Sequence, residues 1–182
     1  YKQGIYTKRW GPNVDSQVCG HGIIAAIELY KCTLDSYYID VAATYAKIVL
    51  ACQQSDTLDW DIPLRGFFYE DPNHKWMLTY EHRGHEQSPV QGLAMLCEVA
   101  SNHPDYEAWI NGLKLYREYV LDSMKLTKPY GLVPGHVYVL DKLNSDRFTI
   151  PASYGTIPEG MEILRNQARS GKKLADNVYL RI

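Results

Sequence analysis

The feature that most constrains this chain is a turn used twice. "LYKCTLDSYY" (29–38) and "LCEVASNHPDY" (96–106) each join an apolar helical run to a one-faced helical run, and Tyr38 and Tyr106 stand 68 positions apart. The first run, 17–33, is apolar nearly all round, with His21, Glu28 and Lys31 as the main exceptions. The second, 36–53, carries a stripe of Tyr38, Val41, Ala42, Tyr45, Val49 and Cys52, with Asp40, Ala43, Lys47 and Gln54 on the other side. That spacing predicts a helix with one buried face. The third run, 89–101, is again apolar on most sides. The fourth, 104–126, sets Tyr106, Trp109, Ile110, Leu113, Tyr116, Val120 and Met124 on one side, with Glu107, Asn111, Lys114, Glu118 and Asp122 on the other.

The expected helix starts agree with this reading. Ser88–Pro89 suits N-cap and first helical position, Asp35 or Ser36 suits the cap of the second run, and Pro104, Asp105 and Glu107 give the fourth an acidic first turn. Short connections make antiparallel neighbours, so the chain predicts two helical hairpins of one kind. Helices apolar all round need cover on both sides, while one-faced helices belong outside. An α/α toroid meets both demands, and a closed ring of such hairpins needs about twice this length. The fold expected is therefore all-α, a partial (α/α)6 toroid spanning 1–182 as a single partial α/α-barrel domain. Its parts are a hairpin at 17–54, a loop at 55–87, a hairpin at 88–126 and a loop-rich portion at 127–182, the last with a short helix near 158–170 and a strand near 178–182.

Charge excludes some functions. The net charge is −2 and the 19 Lys and Arg are scattered, so neither a nucleic-acid stripe nor a basic membrane face is expected. No run approaches the ~20 apolar residues of a membrane span. The chain opens on "YKQGIYTKRWGPNV", in which no charged-then-apolar leader is read. Cys19, Cys32, Cys52 and Cys97 all lie in apolar stretches and none forms a CxxC pair, so all four are expected to be buried free thiols.

The long loops carry the candidate chemistry. Segments 1–16 and 55–87 feed the starts of the two inner helices. If those helices run parallel, both starts open on one rim beside positive helix ends. "EHRGHE" (81–86) would then sit at the mouth. His82 and His85 have H-x-x-H spacing but precede the expected helix, so a metal site is not expected. Their roles divide between a structural one, with Arg83 pairing a carboxylate and Glu86 or Ser88 capping, and hydrogen bonding to a ligand. His21 is expected to be a satisfied core histidine, since it and Cys19, two residues apart on a helix, do not face each other. Asp59, Asp61, Glu70, Asp71, Glu81 and Glu86 offer carboxylates, whose separations the sequence leaves open.

"GHGIIAAIELYKCTLDSYYIDVA", "QQSDTLDWDIPLRGFFYE", "HRGHEQSPVQGLAMLCEVASNHPDYEAW" and "KPYGLVPGHVY" together resemble a bacterial branch of glycoside hydrolase family 9, over roughly residues 4–182. The resemblance implies a six-hairpin barrel and inverting acid/base hydrolysis of β-glycosidic bonds, without a cofactor, in a secreted or periplasmic enzyme. The family's D-A-G-D type base motif and its C-terminal glutamate motif are both absent from this chain. The catalytic residues are therefore expected outside it, and the chain alone to be inactive. What the resemblance implies here is a cleft wall for a carbohydrate substrate, with Trp60, Tyr80, His82, Arg83, His85, Glu86 and Tyr130 as candidate contacts; their assignment rests on loop position. Two other readings stay open. One is another six-hairpin sugar enzyme, an epimerase or unsaturated-uronide hydrolase, with His82, His85 or a loop aspartate as catalytic group. The other is a non-enzymatic helical-repeat scaffold, in which the loop aromatics pack internally.

Overall fold

A computed structural model of the chain describes residues 16–69, 72–74, 87–132, 136–139, 162–163, 165–166 and 169–181. Helices α1 (Ser16–Thr33) and α2 (Tyr37–Ala51) form the first hairpin, and α3 (Gln87–Val99) and α4 (Tyr106–Leu126) the second. Short strands β1 (His136–Val139), β2 (Lys172–Ala175) and β3 (Val178–Arg181) make an antiparallel sheet in the order β1-β3-β2. The described chain is thus mostly helical, with a small sheet added. Of its strands, the sequence reading anticipated only the last.

The two hairpins lie side by side and point the same way. Ser88 meets Gln17, Gly20 lies against Ser88 and Pro89, and Gly92 lies against Gly20 and Ile23. Contacts advance together along both helices, so α1 and α3 run parallel with their starts adjacent. The outer helices repeat the pattern: Lys47 pairs with Asp105 and Leu50 packs on Gly112. The seam is unusually close because it is built on glycine. A Cβ on Gly20 would fall on the backbone of Ser88 and Pro89, and one on Gly92 would stand 3.0 Å from the Gly20 carbonyl oxygen. Around this seam Cys19, Ile23, Ile27, Ala42, Val49, Leu93, Leu96 and Trp109 are buried in one core. Each large apolar side chain there contributes about 1.5–3 kcal/mol. Trp109 stacks on His103 with 4.7 Å between ring centres, while its indole N–H has no hydrogen-bond partner among the described residues.

A second core lies where α2 and α4 end. Leu64, Phe67 and Tyr69 from the loop after α2 meet Tyr119 of α4 and Leu174, Val178 and Leu180 of the sheet. The loop is tied down by backbone bonds: Gln54 N–H to Phe67, Gly66 N–H to Gln54, Tyr69 N–H to Cys52 and Ile62 N–H to Leu174. Gln53 adds a side-chain bridge, its amide donating to the Gly66 and Gly112 carbonyls, each at 2.9 Å.

Several expectations are corrected. The second helix ends at Ala51, because Cys52 N–H closes a tight last turn on Ile48 and Val49, and Gln53 then leaves to bridge with Phe68. Ala43 and Gln54, expected on the open side, are buried: α2 packs on the second hairpin as well as on α1, and Gln54 belongs to the loop. Helix α3 starts at Gln87, so Ser88 lies inside its first turn and its hydroxyl serves Gln17 instead of a cap. Pro89 still fits, since N–H groups of a first turn have no helical partner. Helix α4 starts at Tyr106, with Pro104 and Asp105 in the turn. At α2 Ser36 is the N-cap but makes no side-chain cap bond; Asp35 Oδ1 accepts from Tyr37 N–H at 3.0 Å instead. The inner helices are not covered on all sides. His21, Ala25, Glu28, Leu29 and Cys32 of α1 are exposed, as are Gln87, Gln91, Ala94 and Glu98 of α3. His21 is therefore no core histidine, and Cys32 is no buried thiol, because both lie on the stripe of α1 that faces neither α2 nor α3.

Candidate functional site

The rim at the helix starts is built in layers. Ser16 Oγ, fully buried, donates to the Tyr69 carbonyl oxygen at 2.9 Å, fastening the loop strand over the start of α1. Ser88 Oγ donates to the Gln17 carbonyl oxygen at 3.0 Å and holds the start of α3 beside it. Tyr69 stacks face to face on His74, with ring centres 4.2 Å apart, and His74 Nε2 lies 3.0 Å from the carbonyl oxygen of Ala51, the last residue of α2. Burial pushes the Tyr69 phenol up to about 12, so this ring stays neutral at physiological pH.

Of the site residues expected from sequence, Trp60 is half-buried. It lies nearly parallel to Phe67 with centres 6.0 Å apart, one part of its indole anchored on the second core and the other open. Tyr130 is 77 % exposed, in the turn after α4 that Thr127 closes by donating to the Leu132 carbonyl oxygen at 2.7 Å. Tyr80, His82, Arg83, His85 and Glu86 lie outside the described residues, as does the "EHRGHE" run as a whole; it enters α3 at Gln87. Neighbouring loop aromatics have another job: Phe67, Phe68 and Tyr69 are all buried. Only the contacts with Tyr116 and Tyr119, some fifty residues on, reveal this.

At the opposite end, where the hairpins turn, a groove of about 300 Å³ opens between the two turns. Tyr30, Ser36 and Asp40 line it from the first hairpin, and Val99, Asn102 and His103 from the second. His103 Nδ1 accepts the Asp105 N–H at 3.0 Å, which places the neutral ring's proton on Nε2. The sequence reading did not identify this groove. Its signal was the repeated turn, since two like turns side by side leave a cleft between them.

Cys19 is buried while His21 is exposed, and burial pushes the Cys97 thiol up, away from the reactive thiolate. Among the described residues no group of three or more His, Cys, Asp or Glu is placed to hold a metal ion, and no helix is long and apolar enough to cross a membrane. No family model, curated protein or solved structure matches the chain.

Proposed function

We propose that the chain forms part of the wall of an α/α toroid that hydrolyses β-linked glycans outside the cytoplasm, by inversion between two carboxyl groups supplied from outside residues 1–182. The sequence resemblance motivates this reading, and the parallel course of α1 and α3 supports it. A shared cleft requires the two starts to open on one side, and antiparallel inner helices would have defeated it. Trp60 then serves as a sugar-stacking platform, held flat by Phe67 behind it. Arg83, His82 and His85, shortly before α3 in the sequence, donate hydrogen bonds to hydroxyls. The test is titration of tryptophan fluorescence with cello-oligosaccharides. The expected result is a saturable change at millimolar ligand, abolished by Trp60→Ala. No change in a folded chain overturns the reading.

One observation favours a second reading, a helical-repeat scaffold without catalysis: Phe67, Phe68 and Tyr69 are spent on internal packing. Under it, oligosaccharides leave both fluorescence and thermal midpoint unchanged.

A further inference from the structure

The groove at the turn end of the hairpins is a second concave site, remote from the rim at the helix starts. Its volume of about 300 Å³ lies at the small end for ligand sites. Ile39, Val99 and Ala100, all half-buried, supply the apolar part of its lining. Asp40 is the only carboxylate in that lining, which holds no lysine or arginine. Among the described residues the Asp40 carboxylate has no ion pair or hydrogen bond; only its backbone oxygen is engaged, by the Thr44 hydroxyl. Lys31 and Lys47, on the two helices of the first hairpin, are already paired, with Glu28 at 2.9 Å and with Asp105 at 3.2 Å. The Tyr30 and Ser36 hydroxyls and the Asn102 amide group are likewise without partners among the described residues.

This set favours a cation over an anion. A helix start can attract an anion, but the first N–H groups of α2 are taken. Asp35 Oδ1 accepts from Tyr37 N–H, the Asp35 carbonyl from Tyr38 N–H, and the Ser36 carbonyl from Ile39 and Asp40 N–H. An anion would meet the Asp40 charge with no helix donor to offset it. We infer that the groove binds a small primary amine, its ammonium on the Asp40 carboxylate and its hydrocarbon part on Ile39, Val99 and Ala100. An ammonium brings donors and a charge to a site that offers acceptors. Asp40 takes a charge-assisted bond, Ser36 and Asn102 offer neutral oxygens, and the Tyr30 ring attracts the cation through its face. Ser36, Asp40 and Asn102 are exposed, so water competes for the same groups and millimolar affinity is expected. The inference does not depend on the glycan reading, which concerns the other end of the hairpins.

Titration followed by backbone amide NMR tests it, with phenethylamine as the probe and 2-phenylethanol and 3-phenylpropionate as its neutral and anionic counterparts. The expected result is a saturable set of shifts at residues 36–40 and 99–103 with the amine. Asp40→Asn should weaken binding about tenfold or more, and Asp59→Asn, in the loop after α2, should leave it unmoved. The spectrum of each variant shows directly that it is folded, which the exposure of Asp40 favours. The alcohol or the carboxylate binding as tightly as the amine overturns the inference. So do amine shifts that arise elsewhere or not at all, or binding that survives Asp40→Asn unchanged.

Discussion

Ser88 Oγ donates to the carbonyl oxygen of Gln17 across 3.0 Å, joining the first turns of α1 and α3, 71 residues apart in the chain. This bond and the glycine seam behind it make the two hairpins neighbours in a fixed register. The candidate rim exists because the register brings two helix starts together.

The seam predicts a ranking. Gly20→Ala drives a methyl into the backbone of Ser88 and Pro89, which cannot swing aside. Gly92→Ala meets the Gly20 carbonyl oxygen and the Ile23 side chain at 3.0 Å, and small shifts relieve that. Urea denaturation should show a loss of about 2–4 kcal/mol for the first and roughly 1–2 for the second. Equal losses would mean that the helices part easily.

Gln53 is buried and its amide serves two carbonyls, one in the loop and one in α4. Gln53→Ala removes both bonds and leaves a void, at a cost of about 2–4 kcal/mol in chemical denaturation. Gln53→Met keeps most of the volume and isolates the hydrogen-bond part, at roughly half that loss.

The Tyr69 phenol, raised to about 12 by burial, makes stability pH-dependent at the alkaline end. The unfolded chain releases this proton near the ordinary value of about 10. Stabilisation is therefore complete below about pH 10 and is lost as pH climbs through about 12, by up to roughly 2–3 kcal/mol. Denaturant midpoints measured from pH 9 to 12 should fall more steeply for the wild type than for Tyr69→Phe.

Thiol titration with a disulfide reagent should find one fast cysteine and three slow ones. Cys32 is exposed, while Cys19, Cys52 and Cys97 are buried. Cys32→Ser should remove the fast phase, and denaturant should merge the slow thiols into one class.

The helices and their pairing could be read from the sequence because those signals are local. A 3.6-residue period and a repeated turn lie within a window of twenty residues. The misreadings have physical causes. Pro89 drew the cap to Ser88, although proline is accepted throughout a first turn. Apolar neighbours in the sequence suggest a core position for His21, but neighbours in sequence point all round a helix and one stripe of α1 is open. The second core was beyond local reading. Strand β2 fully buries Leu174 alone, with Ala175 half-buried beside it, and Phe67, Tyr119 and Val178 meet there from three distant segments. For the candidate site, the loop aromatics were recognisable as a set, but only contacts could separate the half-open Trp60 from the buried Phe67, Phe68 and Tyr69.

The paired backbone bonds of Gln54 with Gly66 and Phe67 pinch residues 55–65 into a loop whose ends are fastened whatever lies between them. Thr57, exposed and just past the Asp56 carbonyl oxygen that the Gln54 side-chain amide holds at 2.8 Å, begins its slack part. Extra residues spliced in there would lengthen the lip beside Trp60 at little entropic penalty and leave the hairpins undisturbed. The scaffold thus carries a ready port for reshaping whatever the rim admits.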